Sequence, residues 1–364
     1  MTHGAPSPQD ADPLDRANLR ARLHKALAGF LAGQAAALDA ITEELGPMSD
    51  AVGEFLLDGG KRLRPAFCYW GWRAAGGPDT DTIVSAAAAL ELLHACALIH
   101  DDVMDGSDTR RGRAAVHRRF AALHRGCGWS GDPAAFGASA AILLGDLCLI
   151  WADGMVNGAG LPSDALLRAA PVYDEMRVEL MAGQYLDLLE QALGGGSIDR
   201  ALRVARFKTA KYTIERPLHF GGTLAGAPAE MLAVFTAYGL PLGEAFQLRD
   251  DVLGVYGDPA VTGKPAGDDL REGKRTALVA AAVQAASPSQ AAVVRRHLGD
   301  PGLDDGGVTA LREVINDTRA LDQVEALIAD RTAEALAALD RAVIDEEART
   351  TLAELAAAAT ARRG

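Results

Sequence analysis

The sequence predicts an all-α chain, one domain with its helices around a central cavity, and three observations carry that prediction. The composition is rich in alanine and leucine, strong helix formers, with only 5% aromatic residues. Apolar residues recur at helical spacing in 19–45, 82–100, 136–156, 165–193, 200–224, 229–254, 276–298 and 321–360. No series of short alternating strands interrupts them. The 364 residues suffice for one large domain. We place it at 14–364, behind a polar tail, 1–13, that carries Pro6, Pro8 and Pro13 and is expected to be disordered.

The breaks between these stretches fall where backbone chemistry demands them. Gly59-Gly60 interrupts the chain before Lys61-Arg62-Leu63-Arg64-Pro65, and Gly76-Gly77-Pro78 reads as a turn. Residues 125–135, with Gly126, Gly128, Gly131 and Pro133, read as a loop. After Gly194-Gly195-Gly196, Ser197 can cap the next helix. From Val255 to Arg275 the chain is too polar and too rich in glycine and proline for a core helix. That segment is expected to be a loop, and a lid over whatever the preceding helix holds.

Composition excludes several functions. A net charge of −13 offers no basic face for nucleic acid. The four cysteines, Cys68, Cys96, Cys127 and Cys148, form no CxxC pair, and Cys96 and Cys148 lie in apolar runs as core residues. A disulfide framework is not expected, which points to a reducing, cytoplasmic setting. Residues 1–13 contain no apolar signal segment. The uncharged run Ala134–Gly145 is too short to cross a bilayer, so the protein is not expected to span a membrane.

The chemistry is concentrated in two acidic clusters. Asp101, Asp102 and Asp105 follow the apolar run Ala86–Ile99, and Asp250-Asp251 follow another, Val234–Phe246. On a helix, Asp101 and Asp105 share a face one turn apart. Carboxylates so placed repel unless a cation lies between them. Mg²⁺ suits the position, because it takes oxygen ligands and leaves room for water or phosphate. Basic residues complete a diphosphate chamber. Lys61 and Arg64 form an anion clamp, and Arg110-Arg111 can meet phosphate oxygens bidentately. Lys208 and Thr209 lie in a helix, Lys264 and Lys274 flank Asp268-Asp269, and His94 stands two turns before Asp101. Gln184 and Asp187, inside an apolar helix, read as a structural hydrogen-bond pair.

In order, these motifs resemble the trans-isoprenyl diphosphate synthases, the polyprenyl synthetase family. They are Gly60-Lys61-Arg62-Leu63-Arg64-Pro65, His100-Asp101-Asp102-Val103-Met104-Asp105 with Arg110-Arg111-Gly112, Lys208-Thr209-Ala210, Phe246-Gln247-Leu248-Arg249-Asp250-Asp251, and Gly263-Lys264-Pro265. The resemblance implies the isoprenoid synthase fold, a homodimer, and head-to-tail condensation of isopentenyl diphosphate with an allylic diphosphate. It implies three Mg²⁺ ions per active site, with Asp101 and Asp105 as ligands of two, supported by Asp102. Asp250 holds the third, and Asp251 binds its waters. Arg110, Lys208 and Lys264 grip the allylic diphosphate, with Thr209 and Gln247 near the ionising carbon. Lys61, Arg64, His94 and Arg111 bind isopentenyl diphosphate, and Lys274 closes over the site with the lid.

One position departs from the pattern. The second motif commonly ends in a further aspartate, and here Gly254 stands in its place. Asp250 keeps the ligand position, so activity is expected to survive. The spacing of Asp250, Gly254 and Asp258 also matches the second metal motif of class I terpene cyclases, which need no second diphosphate site. The clamp formed by Lys61, Arg64 and Arg111 favours condensation. A non-catalytic subunit would not need intact acidic clusters. The resemblance also implies where product length is set: in short-chain members of that family bulky aromatics four or five residues before the first aspartate form the pocket floor, and here those positions are Ala97 and Cys96, both small. The floor is therefore expected deeper, near Leu93 one turn further down or on a neighbouring helix. The expected product is geranylgeranyl diphosphate, with a chain of twenty-five carbons or more as the alternative.

Overall fold

The computed structural model describes residues 13–194, 197–258, 267–300 and 302–361. The expected tail lies almost wholly outside these residues, and Pro13 opens a short 3₁₀ turn, Pro13–Asn18. Helices follow at α1 (Leu19–Asp39), α2 (Gly46–Leu57), α3 (Leu63–Ala74), α4 (Asp81–Met104), α5 (Val116–Gly126), α6 (Pro133–Asn157) and α7 (Ser163–Leu193). Then come α8 (Ile198–Ala205), a π-helical segment (Arg206–Glu215), α9 (Arg216–Ala225) and α10 (Ala229–Tyr256). The chain closes with α11 (Asp268–Arg271), α12 (Ala277–Ala285), α13 (Pro288–His297), α14 (Asp305–Asp317), α15 (Ala320–Asp340) and α16 (Glu346–Thr360). The strands among the described residues are the two-residue hairpin Thr109–Arg110 with Arg113–Ala114.

The expected all-α architecture is what forms, with differences that have physical reasons. Helix α3, LRPAFCYWGWRA, is buried on nearly every side, so it carries no apolar–polar periodicity to read. The stretch 200–224 is three elements, because the hydrogen-bonding register widens at Arg206–Glu215. Pro288 starts α13 at its first turn, where a missing N–H costs nothing, and so divides 276–298 into two helices. Ser197 caps α8 as expected, accepting from the Arg200 amide. Gly59 and Gly60, at φ of 113° and 112°, make the turn that only glycine enters without strain.

Two helices carry the acidic motifs. Helix α4 runs through the main core, with Ala86 to Leu90 fully buried, and packs on α1, α3 and α6. Helix α10 packs on the π-helical segment and α15. It leaves the main core at Phe246 and enters a second apolar cluster, with Leu248, Val252 and Val255 packed among α12 to α15. Both α4 and α6 are long and apolar enough to cross a membrane. For α4 that apolarity serves the core. For α6 only 33% of the apolar stretch is buried.

Candidate active site

The site forms where the C-terminal ends of α4 and α10 approach the π-helical segment and the segment 267–275. Asp101 sits on the α4 face that meets α7: its Oδ1 accepts from Gln184 Nε2 at 2.9 Å and from Lys208 Nζ at 3.1 Å. Lys208 also reaches Asp187 Oδ2 at 2.7 Å. Gln184 and Asp187 are therefore not paired with each other. Gln184 reaches Asp101 and Asp187 reaches Lys208, which corrects the expectation of a structural pair. Glycine makes this approach possible, since a Cβ on Gly183 would lie 2.3 Å from the Lys208 amide nitrogen.

Asp102 is fully buried and receives the Arg110 guanidinium from the Thr109–Arg110 hairpin strand, and the same Arg110 Nη2 stands 3.6 Å from Asp101 Oδ2. Asp105 differs from both. Its side chain is 3% exposed, and neither carboxylate oxygen has a hydrogen-bond partner. Lys274 Nζ stands 4.0 Å from it. Burial, then the neighbouring Asp101, pushes the Asp105 carboxyl up. At Asp101 burial pushes the same way but loses to Lys208, Lys274 and Arg110, which hold that carboxyl well down. One carboxylate of the pair is hydrogen-bonded by lysine, and the other accepts no hydrogen bond.

The second motif is assembled differently. Asp250 is half-buried on α10. Asp251 is buried and accepts from Gln247 Nε2 at 2.7 Å, and burial raises its carboxyl to about 8. Helix α10 ends at Tyr256, with Gly257 extended at ψ 149°. Asp258 thus leaves the helix and does not continue the Asp250 face, which removes the spacing that suggested a cyclase motif. Lys264 lies outside the described residues. Lys274 is buried between Asp269 Oδ1 at 3.1 Å and Glu272 Oε2 at 2.6 Å. Glu272 in turn accepts from Ser107 Oγ at 2.9 Å, which ties the segment after the second motif to the loop after the first. Sequence reasoning named none of Asp269, Glu272 and Ser107 as site residues. The signal available was the acidic pair Asp268-Asp269 between two lysines.

Beside the carboxylates lies a cluster of cations. Arg64 stacks on the Tyr212 ring at 4.4 Å and donates to Thr213 Oγ1 at 2.8 Å. Arg111 stacks on Phe55 at 5.4 Å and donates to the Phe55 carbonyl. Lys61 lies over Phe246, its Nζ 6.0 Å from the ring centroid. His94 faces Tyr212 at 6.2 Å. Burial, then Arg64, Arg111 and Arg110, holds His94 well below its ordinary value and so neutral. The structure thus brings Arg64, His94 and Arg111 together, while Lys61 lies over Phe246 and follows Gly60, which approaches the Arg111 guanidinium. Arg62, quoted only as part of the motif, turns inward to the buried Glu91 and the Leu56 carbonyl. Its charge is matched, while burial and then Arg62, Arg110 and Arg64, against Glu91, lower the Arg111 pKa. Such an excess of fixed cations suits an anion with several oxygens. Arg62 and Arg111 hold positive φ of 51° and 53°, a strain that marks functional loops.

The residues near the floor separate. Ala97 lies one turn below Asp101 on the same side of α4, whereas Leu93, seven residues before His100, lies nearer the His100 face and is fully buried. Cys96 and His100 face α6 instead: His100 Nε2 meets the Ile142 carbonyl at 3.0 Å, and a Cβ on Gly145 would strike the His100 ring. Thr209 is half-buried beside Lys208. Two cavities lie elsewhere, about 350 Å³ around Arg249 and Thr360 and about 190 Å³ between α6 and α7, and neither is lined by the carboxylates of the two acidic motifs or by Lys61, Arg64, His94, Arg110, Arg111 or Lys208.

Would Mg²⁺ fit? Among the described residues no three acid or imidazole groups converge into a closed ligand set. Lysine ammoniums stand between the carboxylates. An open site, with two carboxylates and the remaining positions for phosphate oxygens and water, is what Mg²⁺ prefers. Asp105, buried and without a hydrogen-bond partner one turn after Asp101, meets that description.

Comparison with known proteins covers the same ground. A family model described as polyprenyl synthetase matches residues 47–315. A geranylfarnesyl diphosphate synthase of Aeropyrum pernix is 34% identical over 274 residues, 73% of this chain and 79% of that protein. A geranylgeranyl diphosphate synthase of Mycobacterium tuberculosis is 37% identical over 229 residues, 63% of this chain and 60% of that protein. The crystal structure of a geranylgeranyl pyrophosphate synthase from Corynebacterium glutamicum, complexed with isoprenyl diphosphate and magnesium, superposes with a TM-score of 0.92. It is 42% identical and covers 97% of this chain and 100% of that one.

Proposed function

Because this chain belongs to the polyprenyl synthetase family and is a prenyltransferase, we propose that it joins isopentenyl diphosphate head-to-tail to an allylic diphosphate, with geranylgeranyl diphosphate as the main product. The observation that carries the reading is the second cationic cluster, Lys61, Arg64, Arg111 and His94, standing beside the acidic site but separate from it. A cyclase handles one diphosphate. This chain has the groups for two.

Lys208 and Arg110, already at the Asp101–Asp102 pair, hold the allylic diphosphate with Lys264. Asp101, Asp105 and Asp250 would hold Mg²⁺, three ions in all, which when bound neutralises charge on the leaving diphosphate. The allylic C–O bond breaks, and its electron pair leaves with the diphosphate. Fixed cations that need not reorganise stabilise that charge. Thr209 and Gln247 line the ionising carbon. The pocket of Lys61, Arg64, Arg111 and the neutral His94 presents the isopentenyl alkene to the cation. A carbon–carbon bond forms, and the adjacent proton passes to the released diphosphate. The apolar walls from α4 and α7 keep water away.

The small residue Ala97 on the α7-facing side of α4 supports a product longer than fifteen carbons. The test is incubation with Mg²⁺, isopentenyl diphosphate and each of dimethylallyl, geranyl and farnesyl diphosphate, followed by sizing. Growth ending at twenty carbons is expected. Conversion of farnesyl or geranylgeranyl diphosphate to a hydrocarbon without isopentenyl diphosphate would establish a cyclase instead.

We further propose a homodimer. Its support is the apolar face of Ile142, Leu143 and Ile150 on α6 with Leu167, Val178 and Leu189 on α7, all exposed. A monomer rarely leaves so large a patch to solvent.

A further inference from the structure

Gly254 lies one helical turn after Asp250, on the same face of α10. A Cβ built there would stand 1.8 Å from Asp269 Oδ2 and 2.6 Å from its Cγ. The Asp269 carboxylate therefore rests in the space that a side chain at 254 would occupy. Its other oxygen receives Lys274 at 3.1 Å, and Lys274 extends onward toward Asp105. Asp250 and Asp251 stand one turn before Gly254 on α10, so the Asp269 carboxylate lies against the same stretch of helix. On the far side of Lys274 the buried Asp105 carboxylate accepts no hydrogen bond, its Oδ2 4.0 Å from the Lys274 ammonium.

We propose that Asp269 supplies the carboxylate that position 254 lacks, so that the second cation site is built across two elements, Asp250 from α10 and Asp269 from the segment after it. This rests on the diphosphate–Mg²⁺ reading above. It also gives the glycine a reason: any side chain at 254 displaces Asp269. The site is then complete only when segment 267–275 is docked, and Ser107 with Glu272 holds it there.

The full-length protein is titrated with Mg²⁺ by calorimetry in the presence of inorganic diphosphate, and with Mn²⁺ by electron paramagnetic resonance. The variants are Asp269→Asn, Asp269→Ala, Gly254→Asp and the double Gly254→Asp/Asp269→Ala, each checked for its melting temperature. Asp269→Asn is expected to weaken diphosphate-dependent Mg²⁺ binding about tenfold or more, as loss of a metal-site carboxylate does. Gly254→Asp alone should also weaken it, by evicting Asp269. The double variant should return to within about threefold of wild type, because the carboxylate is restored from the helix. Wild-type binding with Asp269→Asn unchanged, or a double variant no better than Asp269→Ala, would overturn the assignment while leaving the functional reading intact. A wild-type protein that binds no Mg²⁺ with diphosphate would overturn both.

Discussion

The guanidinium of Arg64 lies 4.4 Å from the ring centroid of Tyr212 and is pinned by Thr213, so its plane is fixed before any ligand arrives. Arg64→Ala should raise the KM for isopentenyl diphosphate more than tenfold, about 1.5–3 kcal/mol for a charged contact, while that of the allylic substrate changes little. Arg64→Lys should not rescue, because an ammonium neither stacks nor presents a planar fork. Lys61→Ala should show the same split in steady-state kinetics. Equal effects on both substrates would sink the two-pocket assignment.

Asp105→Asn should separate stability from activity. The metal-free fold holds this carboxylate against burial and against Asp101, so amidation relieves a cost. We expect the metal-free melting temperature to rise by about 1–3 °C, as a site strained for function permits. Turnover should fall at least about 100-fold, as should that of Asp101→Ala. Calorimetry and a product assay measure both, and a fully active Asp105→Asn enzyme would refute the metal role.

Ala97→Phe and Cys96→Phe should behave differently although they are adjacent. Ala97 faces α7 below Asp101, so a ring there should shift the product toward farnesyl diphosphate while condensation continues. Cys96 faces α6, where burial is complete, so a ring there overpacks the core and costs about 1–3 kcal/mol. Product sizing and thermal melts decide it. A product unchanged in a folded Ala97→Phe protein would place the chain pocket elsewhere.

His219 should make stability depend on pH. Its ring is buried against the Leu232 carbonyl and Thr236, and burial, then Arg216, lowers its pKa to about 4. The unfolded chain binds a proton near 6.5, before the folded one does, so stability is lost as pH falls from about 6.5 to about 4. The loss is of order 2–3 kcal/mol. Urea melts of wild type and His219→Gln at pH 7.5 and pH 5 should differ in slope, the variant losing less. Parallel losses would rule the residue out.

Ile150→Glu with Val178→Glu should halve the mass seen by light scattering without unfolding the chain. An unchanged mass in detergent-free buffer would mean that this face is not the dimer contact. Vesicle binding by the wild type would point to a membrane instead.

The acidic pairs and the basic turn stand out in the sequence because each sits in a local pattern, an apolar helix that ends in acid or a glycine turn that opens into base. What could not be read is what crosses between distant segments. Gln184 and Asp187 show helical spacing and nothing of Lys208, which approaches from a different element. Asp269 looks like solvated loop acid until the fold seats it on Gly254. Helix α3 was hidden for the opposite reason, since a segment buried all round has no polar face to set its period.

The widened register of Arg206–Glu215 acts as a caliper. In a π-helix, backbone bonding links residues five apart. Lys208 and Thr213, five apart, touch Asp101 and Arg64 respectively. One stretch of backbone thus sets the gap between the lysine at Asp101 and the threonine at Arg64, the two sides of the proposed pair of diphosphate sites. Restoring ordinary α-helical spacing by removing a residue would turn everything downstream by about 100°. Lys208 and Thr213 could then no longer gauge the same interval, and the two reacting carbons would meet at the wrong separation.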